Sequence, residues 1–117
     1  MTTKTEGNHT GEFLLSEGNG NISREQVTVA QGATAIRSGT VMGKITASGK
    51  YIAYVDAAVD GSGVAAGILF ADLPAQTGSV DHKAAIIARS AEVIASKIVG
   101  SDANAVTELA ALGIIQR

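Results

Sequence analysis

Glycine sets the length of every element this chain can build. Fourteen glycines and a single proline divide the 117 residues into short apolar runs. At that density, against a usual ~7%, glycine supplies turns and breaks rather than element interiors. Hydrophobic residues are 45% of the chain, yet its aromatics are only two Phe and two Tyr. The core must be packed from Ala, Val, Ile and Leu. Charged residues, at 17% against a usual ~25%, are too few for a disordered chain of this apolar content. The length fits one domain, which on folding buries roughly 65% of its unfolded surface.

The runs read as short strands. Val27-Thr28-Val29 alternates and stops at Gln31-Gly32. Thr40 to Thr46 is a second strand, with Gly43 placed for a bulge. Ser48-Gly49-Lys50 is a hairpin turn from which Tyr51 to Val55 returns. Asp56 to Gly63 is a loop, and the continuous run Ala65 to Phe70 reads as a buried strand ended by Leu73-Pro74. Ala84 to Ala88 and Glu92 to Ala95 are further runs. Tyr51 and Tyr54, three apart, cannot share a strand face, so one is expected in the core and the other on the surface.

One helix is predicted, near the C-terminus. Ser101 or Asp102 caps its start, because their oxygens accept orphan backbone N–H groups. Ala103, Val106, Leu109 and Ala110 then share a face, and Gly113 ends it. Ile114-Ile115 forms a last short strand. The expected fold class is therefore α+β and β-rich: a small barrel-like body of short strands with one C-terminal helix.

The first 22 residues differ. Residues 1–11 are rich in Thr, Asn and Gly, and Glu17-Gly18-Asn19-Gly20-Asn21 breaks any element. Between them stands an isolated apolar patch, Glu12-Phe13-Leu14-Leu15-Ser16. It reads either as an edge strand of the domain or as an arm that docks on something else. The division expected is a flexible, extended N-terminal arm over 1–22 and a compact domain over 23–117.

Charge and motifs exclude several functions. Net charge is −2, and the nine basic residues stand singly, so the electrostatic footprint of a nucleic-acid binder is missing. The polar start lacks the apolar core of a secretory signal, and no run approaches the ~18 residues of a membrane span. Without Cys there is no disulfide, thiolate nucleophile or Cys-ligated zinc. Gly61-Ser62-Gly63-Val64-Ala65-Ala66-Gly67 has the wrong spacing and context for a dinucleotide loop, and reads as a turn into a strand. His9 and His82 lack a nucleophile elbow or converging metal ligands; Asp81-His82-Lys83 reads as a loop or the entry to a strand, with His82 a solvated residue. Asp56 and Asp60 read as solvated loop acids. No catalytic residue, cofactor, metal or small-molecule substrate is expected. Asp81-His82-Lys83-Ala84 faintly resembles the modified-lysine turn of lipoyl-type carrier domains, which keeps a carrier or ligand-binding domain as the alternative.

Several segments, taken in order, resemble the tailed-bacteriophage head decoration proteins of the lambda type. They are Glu12 to Glu17, Ser23 to Val29, Gly39 to Lys44, Gly49-Lys50-Tyr51, Ala66 to Leu69, Ala91-Glu92-Val93 and Leu109 to Ile114. The resemblance implies a non-enzymatic capsid cement, made in the host cytoplasm and located on the outer surface of the virion. It implies a homotrimer that binds the major capsid protein at three-fold and quasi-three-fold positions of the expanded head and resists the pressure of packaged DNA. No direct contact with nucleic acid or membrane is implied. It also favours the docking-arm reading, with Glu12, Phe13, Leu14, Leu15 and Ser16 as capsid-binding residues. An arm of 22 residues could reach roughly 70 Å, far enough to cross a subunit boundary. Another virion protein of the same fold is a further alternative.

Overall fold

A computed structural model of the protein describes residues 10–18, 22–31, 35–74 and 80–117. Among these described residues, eight strands and one α-helix follow in the order β1 (Leu14–Glu17), β2 (Arg24–Gln31), β3 (Val41–Lys44), β4 (Tyr51–Ala53), β5 (Ala65–Leu69), β6 (Val80–Ile87), β7 (Ala91–Val93), α1 (Ala103–Ala111) and β8 (Ile114–Gln116). A single 3-10 turn, Ala95–Lys97, precedes the helix.

Five strands close a barrel in the order β2-β4-β3-β5-β6. Its long seam is the antiparallel pair β2–β6, in register from Arg24↔Ile87 to Gln31↔Val80. Closure leaves these strands without an open edge. β3 and β4 form the expected hairpin: Gly49 takes φ +73°, and Ile45 N–H donates to the Lys50 carbonyl at 2.8 Å. β3 shifts register against β5 between Met42 and Gly43, which places the predicted bulge. The remaining strands form a separate three-stranded sheet, β1-β7-β8, antiparallel between β1 and β7 and parallel between β7 and β8.

Two apolar cores result. Val27, Val29, Met42, Tyr51, Leu69, Ile86 and Ala88 fill the barrel. Phe13, Val41, Tyr54, Ile68, Ile87, Val93, Ala105, Leu109 and Ile114 fill the space between the barrel wall, the small sheet and α1. The pairs Val41-Met42, Ile68-Leu69 and Ile86-Ile87 each send one neighbour to each core, because successive strand residues face opposite ways. A strand buried on both faces has no polar residue to alternate with, hence the continuous apolar runs.

α1 is capped as expected. The Asp102 carboxylate accepts from Ala105 N–H at 2.8 Å, and Gly113 follows the helix at φ +82°. Its buried face differs from the expected one: Ala105 and Leu109 point inward, while Ala103, Val106 and Ala110 are exposed. The neighbouring spacing also fits a helical stripe, and contact with β5 and β8 selects between the two. Both tyrosines are buried, contrary to the expected split. β4 ends at Ala53, so Tyr54 leaves the strand's alternation and enters the second core.

The compact body does not begin at residue 23. Phe13 has no exposed surface and sits in the second core, and β1 pairs with β7. The turn carrying Phe13 and the edge strand β1 (Leu14–Glu17) are therefore integral to the body and not part of a free arm. Gly11 N–H donates to the Phe70 carbonyl at 3.1 Å, and Ile94 N–H donates to the Phe13 carbonyl at 2.7 Å. Arg24 closes the link from β1 to the barrel with two hydrogen bonds to Glu17 at 2.8 and 2.9 Å, and stacks over Phe70 at 4.1 Å. The part of the proposed arm over residues 1–9 lies outside the described residues, as does His9.

Candidate docking surface

The outward face of the small sheet presents Leu15 and Ser16 from β1, Glu92 from β7, and Ile115 with the following Arg117 from the end of β8. Leu15 is 52% exposed and Ile115 is 38% exposed. Glu92 ties the three strands together: it accepts from Ser16 Oγ at 3.1 Å and from Arg117 Nη2 at 2.6 Å. The hydrogen bonds and charge of Arg117, with the bond from Ser16, hold the Glu92 carboxyl below its ordinary range. β1 pairs only with β7, so its other edge carries backbone groups that pair with no strand among the described residues.

The five residues expected to contact a capsid divide between interior and surface. Phe13 is fully buried, and Leu14 packs at the margin of the same core. Glu12 is ion-paired with Lys97 at 3.0 Å. Only Leu15 and Ser16 face outward in strand β1. A buried Phe13 is unavailable as a docking anchor, since exposing it would take apart the second core. Glu92, Ile115 and Arg117 come to this face from segments far apart in the chain, and no local pattern in the sequence marks them.

The other candidates move too. His82 is in a strand rather than a loop, the second of the two placements expected. It lies within β6, on the same strand face as the barrel-lining Ala84 and Ile86, and its buried Nε2 has no hydrogen-bond partner among the described residues. Lys83 lies inside the β2–β6 ladder opposite Thr28. It is not at a turn tip, where a carrier domain would present a modified lysine. Gly61 to Gly67 is a turn running into β5, as expected. Asp60 is a turn-former: its carboxylate accepts from Ser62 N–H at 3.0 Å and from the Ser62 hydroxyl, and these bonds lower its pKa. Among the described residues no group of His and acidic side chains is placed to hold a metal ion, and no helix is long and apolar enough to cross a membrane.

A sequence model of the family described as bacteriophage lambda head decoration protein D matches residues 3–114. The chain belongs to that family. Membership in the head decoration family makes this a structural protein of the phage capsid. No curated protein matches the chain.

Proposed function

We propose that the chain is the cement of an expanded phage head: a trimer that binds the major capsid protein at three-fold and quasi-three-fold positions and stabilises the shell against packaged DNA. The observation that carries this reading is the family match over nearly the whole chain. The small sheet supplies a physical means. A shell segment added alongside β1 would satisfy its free backbone groups while Leu15 and Ser16 set the side-chain contacts. Each such contact is small, and a trimer would present three, so that linked sites gain avidity without new contacts. Binding to the expanded shell and not to its precursor stabilises the expanded form by mass action.

Co-sedimentation with expanded, DNA-free heads assembled from the cognate major capsid protein tests this. Saturable binding near one trimer per three-fold position is expected, together with a higher disruption temperature of the decorated heads. Failure to bind expanded heads across a range of salt concentrations would end the reading. The carrier alternative has no observation in its favour, given where Lys83 lies.

A further inference from the structure

Six acids spread over the molecule each hold a Lys or Arg within 4 Å. The other four described acids, Asp56, Asp60, Asp102 and Glu108, have no cationic partner among the described residues. All four lie on one region, made by the β4–β5 loop and α1. There the Tyr54 hydroxyl lies 2.9 Å from Asp56 Oδ1 and 3.0 Å from Asp102 Oδ1. A phenol has one proton, so it can donate to only one of the two carboxylates at a time. Asn104 donates to Asp56 at 3.1 Å, and Glu108 accepts from Ala65 N–H at 3.1 Å. Neither contact brings a positive charge.

The same loop exposes three valines. Val59 is 101% exposed, and Val55 and Val64 are each 56% exposed. The loop holding them is nevertheless tightly built. Ser62 is fully buried, Thr46 N–H donates to the Asp60 carbonyl at 2.9 Å, and Ala58 N–H donates to the Val55 carbonyl at 3.0 Å. Gly61 takes φ +107°, and a Cβ there would strike the Lys44 carbonyl at 2.7 Å. A loop already fixed has little conformational entropy left to lose on binding. Apolar side chains held rigidly in water within an acidic rim have the make-up of a docking knob.

We propose that this valine knob is a second contact with the head shell, seated in an apolar depression rimmed by Lys or Arg on the major capsid protein. This rests on the decoration reading above. The charge distribution selects the occupant. A second copy of this chain has, among its described residues, only Lys44 and Lys83 outside ion pairs, too few cations to face four acids. A distinct, cation-rich protein surface supplies the complement.

The test compares the full-length chain with Val59→Lys and Asp56→Asn in co-sedimentation with expanded heads, at low and high salt. Melting temperature and sedimentation velocity are measured on each variant. Val59→Lys is expected to weaken shell binding at least about tenfold, from lost apolar burial and an added positive charge facing the partner's cations, with an unchanged melting temperature. Asp56→Asn, whose side-chain oxygen still accepts from Tyr54, should weaken binding at low salt and flatten its salt dependence. Binding of both variants equal to that of the unmodified chain overturns the proposal and leaves the decoration reading standing. An altered oligomeric state of Val59→Lys with normal shell binding also overturns it, in favour of a contact between copies. If the unmodified chain itself fails to bind, both readings fall.

Discussion

Replacing Phe13 by Ala removes a side chain with no exposed surface from the core shared by β1, β7, β8, the barrel wall and α1. Truncations of this kind lose the transfer free energy of the ring and leave a cavity, together about 3–5 kcal/mol. A chain of 117 residues has a total stability of roughly 6–18 kcal/mol at ~0.05–0.15 kcal/mol per residue. One substitution therefore takes a large part of it. At ~4–8 °C per kcal/mol for domains just below this size, and ~2–4 °C for larger ones, the melting temperature should fall by roughly 10–20 °C. The neighbouring Leu15→Ala serves as the control. Leu15 is half exposed on the outer face of β1, two residues on, and its truncation should change stability by about 0.5 kcal/mol or less. Circular dichroism melts of the two variants at one protein concentration make the comparison, since any self-association would make the midpoint depend on concentration. A Phe13→Ala midpoint within about 3 °C of the unmodified chain would refute the burial of β1 and restore a free arm through residue 13.

Gly43→Ala should be destabilising by about 1–3 kcal/mol or more, although alanine is a small change, because the new Cβ would lie 2.7 Å from Ser62 Cα and closer still to its carbonyl oxygen. Urea titration measures it, and a loss below about 0.5 kcal/mol would mean that the β4–β5 loop is not held against β3. Stability should also depend on pH at both ends. The carboxyls of Glu92 and Asp60 are lowered from 4.5 and 3.8, so their contributions are complete above about pH 4.5 and are lost as pH falls through the lowered folded values. Tyr54 is raised from 10.0, first by burial and then by Asp56 and Asp102, so its contribution is complete below pH 10 and is lost as pH rises above that. Tyr54→Phe should flatten the alkaline limb of a plot of melting temperature against pH, and Glu92→Gln the acid limb. Unchanged limbs would contradict these assignments.

How much of this was legible in the sequence follows from how local each signal is. The β3–β4 hairpin, the Asp102 cap and the Gly113 stop are set by residues within a few positions of one another, and each stands where the spacing predicted it. The buried strand β5 was legible because a strand covered on both faces must be apolar throughout. The resemblance in segment order pointed to the head decoration family, to which the chain belongs.

Other features depend on partners distant in sequence. Phe13-Leu14-Leu15, flanked by glycine and asparagine, has the composition of a tethered arm as much as of a strand. It becomes a strand because β7, some seventy-five residues later, offers an edge and the second core offers a space for a ring. For want of apolar neighbours His82 and Lys83 read as either a loop or the entry to a strand, and the eight-residue ladder between β2 and β6 carries both into the barrel wall. The helical stripe fitted two adjacent faces, and the packing of α1 on β5 and β8 chose Ala105 over Val106. The outer face of the small sheet and the unpaired acids around the valine loop are likewise products of assembly, since they join segments that only the folded chain brings side by side. Backbone conformations and chain breaks are decided within a turn or two, whereas exposure and charge pairing depend on which distant segments meet, and only the tertiary structure decided those.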